Sequence, residues 1–197
     1  MKSTAIIEKL LNDHNGVIKT AQVVESGISR TTLGELVKKG KLERIAHGQY
    51  IHPDDIADEL LLLQQRSSII VFSHETALYL HYMAERTPFR YSLTIPSDKK
   101  LSPILAKGCK IYYSKPVLYE LGQCTVQSKM GNTVLAYDPE RTICDILRSR
   151  NRIDNQVFKE ALKSYFKRRD QDWRKLAFYA EAFRITKLLH QYLEILT

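Results

Sequence analysis

Lys19-Thr20-Ala21-Gln22-Val23-Val24-Glu25-Ser26-Gly27-Ile28-Ser29-Arg30-Thr31-Thr32-Leu33-Gly34-Glu35-Leu36-Val37-Lys38-Lys39-Gly40, with the run over residues 41–52 that follows it, is the stretch whose reading decides the fold. Thr20 and Ser29 are residue types that cap helix N-termini, and Gly27 and Gly40 are types that end helices. Two short helices joined by a tight turn follow from that punctuation. In the second, Leu33, Leu36 and Val37 recur at helical spacing, which turns one face inward against Ile6, Ile7, Leu10 and Leu11 of a preceding helix. Past Gly40, two β-prone runs flank Ala46-His47-Gly48, a three-residue turn containing glycine. Helix, turn, helix and hairpin in this order read as a winged helix-turn-helix.

That reading points to duplex DNA. Arg30, Thr31 and Thr32 fall in the first turn of the second helix, where a recognition helix presents side chains to base edges in the major groove. Ser29, Glu35, Lys38 and Lys39 complete its expected DNA-facing surface. Arg44, His47 and Gln49, near the hairpin tip, could reach phosphates or the adjacent minor groove. Each also has a plain alternative: Arg44 as a solvated strand residue, His47 as a turn residue and Gln49 as surface. Gln22 and Ser26 stand where repressor-type pairs usually carry apolar residues, so the hairpin carries more of the reading than the helices do. Gly34 lies mid-helix, where glycine costs about 1 kcal/mol relative to alanine. Close approach of a groove wall or of a neighbouring helix would account for it.

Charge agrees with a polyanionic partner. With 30 Lys and Arg against 22 Asp and Glu, the net charge is +8. Residues 1–52 hold 8 basic and 5 acidic side chains, 53–137 hold 9 and 8, and 138–197 hold 13 and 9, so the excess lies at both ends. In the last segment Lys159, Lys163 and Lys167 stand four apart, in one row of a helix. Arg168 and Arg169 extend that row, and Arg148, Arg150 and Arg152 lie just upstream. These eight residues are either a solvated face or a second basic surface for nucleic acid or an acidic partner.

The chain divides, on this reading, into a DNA-binding domain over 1–52, a connecting helix over 53–65 and a carboxy-terminal α+β domain over 66–197. Pro53 suits a first helical position, and Ile56, Leu60 and Leu63 supply an apolar face. Five β-prone runs follow, starting near Ile69, Tyr91, Lys110, Cys124 and Thr133, and suggest a small sheet. A helix with Ser73 as its N-cap is expected between the first two of them. From Asp138 onward the pattern is helical, with Trp173, Leu176, Ala177, Ala180 and Phe183 marking the third helix and Leu188, Leu189, Tyr192, Leu193 and Leu196 the last. The fold class is therefore α+β: an amino-terminal winged helix-turn-helix, then a domain with a small sheet and a helical carboxy-terminal half.

Enzyme readings fare poorly. The 8 glycines are scattered, no phosphate-binding glycine loop occurs, and His74 and His81 are seven apart, a poor spacing for two metal ligands on one helix face. Asp98-Lys99-Lys100 forms the D-x-K of some metal nucleases, with Glu75 or Glu85 as a second acid, but Pro96 and Ser97 break the preceding strand. Cys109, Cys124 and Cys144 are odd in number and widely spaced, which indicates neither a disulfide framework nor zinc and suggests reduced, mostly buried thiols. The sequence calls for no catalytic residue, metal or cofactor, and without a leader-like segment or a long apolar run a cytoplasmic protein with no membrane contact is expected.

Phe72-Ser73-His74-Glu75-Thr76-Ala77-Leu78-Tyr79-Leu80-His81, then Thr87-Pro88-Phe89-Arg90-Tyr91-Ser92-Leu93-Thr94-Ile95-Pro96, and Tyr137-Asp138-Pro139-Glu140-Arg141-Thr142-Ile143-Cys144-Asp145, resemble the AbiEi antitoxin family of the AbiE abortive-infection systems, a type IV toxin-antitoxin class. The resemblance runs over essentially the whole chain. It implies an antitoxin that represses its own operon at inverted repeats in the promoter and counteracts a nucleotidyltransferase-like toxin without a stable complex. It further implies a phage-defence role, with a monomer in solution and two copies on DNA. The positions matching the family's DNA-reading parts are Arg30, Thr31, Thr32 and Lys38 in the helix and Arg44, His47 and Gln49 in the wing. A ligand-responsive winged-helix transcription factor unrelated to a toxin is the alternative.

Overall fold

The computed structural model describes residues 2–196, and the side chains of Lys2, Ile195 and Leu196 lie outside the described ones. It is a mixed α+β chain of two compact units, 1–59 and 60–197.

The first unit runs α1 (Lys2–Asp13), β1 (Ile18–Lys19), α2 (Thr20–Glu25), α3 (Arg30–Lys38), β2 (Glu43–Ala46) and β3 (Gln49–Ile51). Its three strands are antiparallel in the order β1-β3-β2. Ile7, Leu11, Ile18, Val23, Ile28, Leu33, Leu36 and Leu42 form the core, with Leu10 and Val37 packed against it, whereas Ile6 is left exposed. Both helix ends expected at glycine close identically. Gly27 N–H reaches Val24 O and Ile28 N–H reaches Val23 O; Gly40 N–H reaches Val37 O and Lys41 N–H reaches Leu36 O. This is the Schellman arrangement, and both glycines sit at positive φ, 86° and 66°.

Local chemistry also explains the two residues that departed from the repressor pattern. Thr20 is the first helical residue of α2 and not its cap; the Lys19 N–H instead donates to Gln22 Oε1 at 2.7 Å, half of a capping box. The Ser26 hydroxyl donates to Val23 O at 2.7 Å near the helix end. Polar side chains at these two places satisfy backbone groups that the helix termini leave open.

Residues 53–58 do not form the first turns of a helix. Asp55 N–H closes a turn on His52 O, Ile56 is 82% exposed, and α4 begins only at Glu59 (Glu59–Arg66). Proline holds its predecessor extended, and the turn-forming pair of aspartates then reverses the chain. Leu60, Leu61 and Leu63 of α4 pack into the second unit.

That unit holds β4 (Val71–Phe72), α5 (His74–Leu80), β5 (Ser92–Pro96), α6 (Pro103–Ala106), β6 (Lys110–Ser114), α7 (Pro116–Tyr119), β7 (Gln123–Gln127), β8 (Thr133–Tyr137), α8 (Pro139–Arg148), α9 (Asn155–Lys167), α10 (Trp173–Ala182) and α11 (Thr186–Leu196). The sheet order is β6-β5-β4-β8-β7, with β5–β6 and β4–β8 parallel and the other pairs antiparallel. Every residue of β5 is buried, as a strand covered on both faces requires. Helices α8 to α11 share a second apolar cluster built on Ile143, Ile146, Leu147, Phe158, Leu162, Tyr165, Leu176 and Phe183. Trp173, expected in this core, lies outside it: 46% exposed, it stacks on Phe166 with ring centroids 5.6 Å apart.

The buried polar residues of the Asp138-to-Asp145 string are scaffolding. Asp138 caps α8 through Arg141 N–H at 2.8 Å and accepts from the Tyr179 hydroxyl at 2.9 Å and Lys175 Nζ at 2.8 Å. Arg141, 1% exposed, pairs with Asp145 at 3.0 Å and donates to Leu118 O at 2.8 Å. Its guanidinium lies over the rings of Tyr137 and Phe183 at 4.0 and 4.2 Å. A Cβ at Gly122 would fall 2.6 Å from Arg141 Cβ, which explains the glycine there. Removing either member of such a buried pair strands the other charge, at a cost of about 3–5 kcal/mol.

Candidate nucleic-acid interface

Ser29 opens α3 as an N-cap: its hydroxyl accepts Thr32 N–H at 3.1 Å and lies 2.9 Å from Thr32 Oγ1. Its job is thus to fix the helix start, and Thr32 is half-buried beside it. Arg30 and Thr31, in the first turn, are exposed, as are Glu35, Lys38 and Lys39 at the far end. Because Leu33 (1% exposed) and Leu36 (8%) anchor the opposite face, α3 cannot roll these residues inward without breaking the core.

A Cβ at Gly34 would meet nothing within 4 Å, so the neighbouring-helix explanation of this glycine is overturned. The backbone there is bare and on the open side of α3.

The hairpin turn is His47-Gly48, two residues and not three, since Ala46 already pairs with Gln49. Thr20 N–H donates to Gly48 O at 2.9 Å, which ties the turn to the start of α2. Arg44 and His47 are exposed and joined, Nη2 to Nδ1 at 3.2 Å, while Arg44 Nε donates to Ala46 O at 3.3 Å. Gln49 was expected on this surface but is 3% exposed. In β3 side chains alternate between faces, and Gln49 falls on the same face as the buried Ile51, away from the half-buried Tyr50.

The basic residues of the second unit do not form one row. Arg148 and Arg152 line a cavity of about 450 Å³ together with His74 and Tyr112. Arg150, Lys159 and Lys163 line a different one with Tyr192. Lys167 and Arg169 are exposed near the end of α9. Arg168 leaves the row: it forks onto Asp170 at 2.6 and 3.0 Å and donates to His81 O at 3.1 Å. Side chains four apart on one helix share a face, but residues before and after it take directions set by the turns they occupy.

The His74 neighbourhood was not foreseen. Ser73 precedes α5 but its hydroxyl makes no capping bond; it accepts from Thr94 Oγ1 at 2.8 Å and lies 3.0 Å from His74 Nδ1. His74 Nε2 lies 3.0 Å from Ser149 Oγ, and the ring stacks on Tyr112 with centroids 3.4 Å apart and planes within 11°. Its backbone is left-handed, φ 46°, a conformation that costs a non-glycine residue about 1–3 kcal/mol and is held only by surroundings that over-determine it. No sequence signal marks such a φ; the basic run from Arg148 to Arg152 was legible, but not its meeting with Tyr112 some forty residues away. Burial holds the His74 imidazole well below its usual range, and Lys110, Arg141, Arg148 and Arg152 push it in the same direction.

The nuclease elements are not assembled. Asp98 and Lys100 lie in an exposed turn after β5, and Glu75 is held by Lys110 at 3.0 Å and by the Ser92 hydroxyl at 2.5 Å. Among the described residues no group of three His, Cys, Asp or Glu side chains could hold a metal ion. Of the thiols only Cys144 is buried, and burial pushes it up to about 12 and the half-buried Cys124 up to about 11. No helix among the described residues is long and apolar enough to cross a membrane.

Comparison with known proteins bears on both units. Residues 6–51 match the model of a family described as transcriptional regulator, AbiEi antitoxin. The match lies within the first unit, so the resemblance read from the sequence is shown there, while the SHETALYLH and YDPERTICD strings lie beyond it. The crystal structure of the RV2827C protein from Mycobacterium tuberculosis superposes with a TM-score of 0.58 over 95% of this chain and 79% of that one, at 14% identity, a likeness of fold alone. Among curated proteins none matches.

Proposed function

We propose that the chain is an antitoxin-type regulator whose first unit is a winged helix-turn-helix binding duplex DNA. The observation that carries this is the coincidence of the family match over residues 6–51 with a firmly capped helix that offers Arg30, Thr31, Glu35, Lys38 and Lys39 outward. In this reading the N-terminal turn of α3 enters the major groove, Arg30 and Thr31 meet base edges, and Arg44 and His47 contact backbone phosphates from the hairpin. Ser29 and Thr32 serve by fixing the helix start, and Gln49 takes no part. Bare backbone at Gly34 allows close approach of a groove wall.

Repression of its own operon at inverted repeats, with a monomer in solution and two copies on DNA, completes the proposal. So does a type IV, phage-defence antitoxin role in the cytoplasm against a nucleotidyltransferase-like toxin, without a stable complex and without catalysis by this chain. The exposed Lys167 and Arg169, with Lys159 and Lys163, remain candidates for a second acidic or nucleic-acid contact. A second reading, a transcription factor whose other unit senses a ligand, is favoured by the basic cavity at His74.

The deciding experiment has two arms. Fluorescence anisotropy with the full chain should show preference for its own promoter over a scrambled duplex, lost on Arg30→Ala. Co-expression with the adjacent gene product should restore growth if that product is toxic. Absence of any promoter preference at low salt would refute the DNA reading, and unrelieved toxicity would refute the antitoxin one.

A further inference from the structure

The cavity beside His74 concentrates cations against too few anions. Its wall carries three guanidinium groups, Arg141, Arg148 and Arg152, and one carboxylate, Asp145. Arg141 takes Asp145 at 3.0 Å, which leaves Arg148 a marginal contact of 3.5 Å to the same carboxylate. Aromatic rings fix both outer guanidinium groups: Arg148 lies 4.7 Å above Phe183 and Arg152 lies 4.6 Å above Tyr112. The Arg152 backbone is held as well, its carbonyl accepting Lys110 Nζ at 2.7 Å, while Lys110 is itself paired with Glu75. Guanidinium groups held on rings keep their edge N–H donors free for a planar or tetrahedral oxyanion.

Hydroxyl groups complete the wall. Ser114 is buried there, and Ser149 bonds His74 Nε2 at 3.0 Å. Tyr113, 61% exposed, lies between Tyr112 and Ser114 on the same strand and is part of the lining. A volume of about 450 Å³ exceeds what a lone inorganic ion fills and suits a small ligand of nucleotide size.

We infer that this cavity is a binding site for a phosphate monoester, with the phosphate held between Arg148 and Arg152 and assisted by the Ser149 hydroxyl, and with the rest of the volume open to the group that the phosphate carries. A phosphate is favoured over a carboxylate because its terminal oxygens can engage two guanidinium forks and a hydroxyl together. Burial first, and then Lys110, Arg141, Arg148 and Arg152, lower the His74 imidazole, and a bound dianion would offset the part that these cations contribute. The site lies wholly in the second unit and stands whether or not the first unit binds DNA.

Calorimetric titration of the full chain with inorganic phosphate, adenosine monophosphate and adenosine tests it. Phosphate and the nucleotide should bind saturably at millimolar affinity or better, and adenosine should not. Tighter binding of the nucleotide identifies a nucleotide-type ligand; equal binding identifies the free anion. The paired change Arg148→Gln and Arg152→Gln should weaken both by about tenfold or more, while Lys41→Ala, at an exposed residue of the first unit, leaves them unchanged. Should the paired variant fail to fold, Asn151→Asp, which adds a carboxylate to the lining, should weaken both as well. In wild-type protein the His74 ring resonances should titrate at higher pH once phosphate is bound. Binding of adenosine as tight as its monophosphate, unchanged affinity in the folded charge variants, or no saturable heat and no His74 response would each overturn the assignment.

Discussion

Arg44 and His47 meet across the β2–β3 turn, Nη2 to Nδ1 at 3.2 Å, so the guanidinium donates and Nδ1 is the unprotonated ring nitrogen. The bond orients two exposed side chains on a turn that Thr20 already anchors to α2. Arg44→Ala should therefore weaken binding to all duplexes alike and lower the slope of log affinity against log salt by about 0.9, one phosphate contact. His47→Ala should do less to the slope but loosen Arg44. Loss of sequence preference in either variant, read by competition with scrambled DNA, would place these residues at bases instead.

Arg30 and Thr31 occupy the first turn of α3 with their side chains exposed. Replacing either by alanine is expected to cost about 1–3 kcal/mol on the cognate site and to relax preference at a single position. A library of operator variants measured against both proteins would locate that position. Uniform weakening would reassign the residue to a phosphate.

Gly34→Ala separates folding from function. With open space around the new Cβ and no positive φ at this residue, the folded chain should gain about 0.4–1 kcal/mol against urea. If a groove wall approaches the bare backbone, the same methyl weakens DNA binding. A stabilised variant with unchanged DNA affinity would show that Gly34 faces only solvent.

Stability should decline on mild acidification. Burial holds His74 and His81 below the usual imidazole value of 6.5, helped by Lys110, Arg141, Arg148 and Arg152 at His74 and by Arg168 at His81. The Tyr137 carbonyl, Asp138 and Glu140 act in the opposite direction on His81 without reversing it. As pH falls below 6.5 the unfolded chain takes up protons that the folded chain refuses, so stability present above that value is progressively lost beneath it. Asp145 has the opposite sign: burial raises its carboxyl above 3.8 despite Arg141 and Arg148, so the folded state holds that proton first and offsets part of the loss in more acid solution. Urea unfolding compared at about pH 7.5 and about pH 5.5 should show the loss, and His74→Gln should reduce it. Equal stability at both values would contradict the lowered imidazoles.

Some of this molecule was legible in the linear chain. The ends of α3 follow from Ser29 and Gly40, because a cap and a Schellman closure are bonds within a few residues. The five strands and Asp138 as the cap of α8 were readable for the same reason, local propensity and punctuation. Gln22 and Ser26 looked like departures only because their backbone partners were not yet visible. The start of α4 was misjudged at Pro53, where a turn and a helix have similar local signatures and the packing of Leu60 into another core selects between them.

Which polar residues face outward was decided by tertiary structure alone. Gln49 and Arg44 lie in neighbouring strands of one hairpin, yet Gln49 shares a buried face of its strand with Ile51 while Arg44 is exposed. The arginines at 148 and 152 read as lying just upstream of a helical row, within one possible basic surface, and only the arrival of β6 beside α5 brings them to a shared cavity with Tyr112 and His74. Capping, turn and periodicity signals act over three or four residues and survive in the linear order. Exposure, a left-handed backbone at His74 and a concentration of charge arise where elements tens of residues apart pack together, so they exist only once the chain has folded.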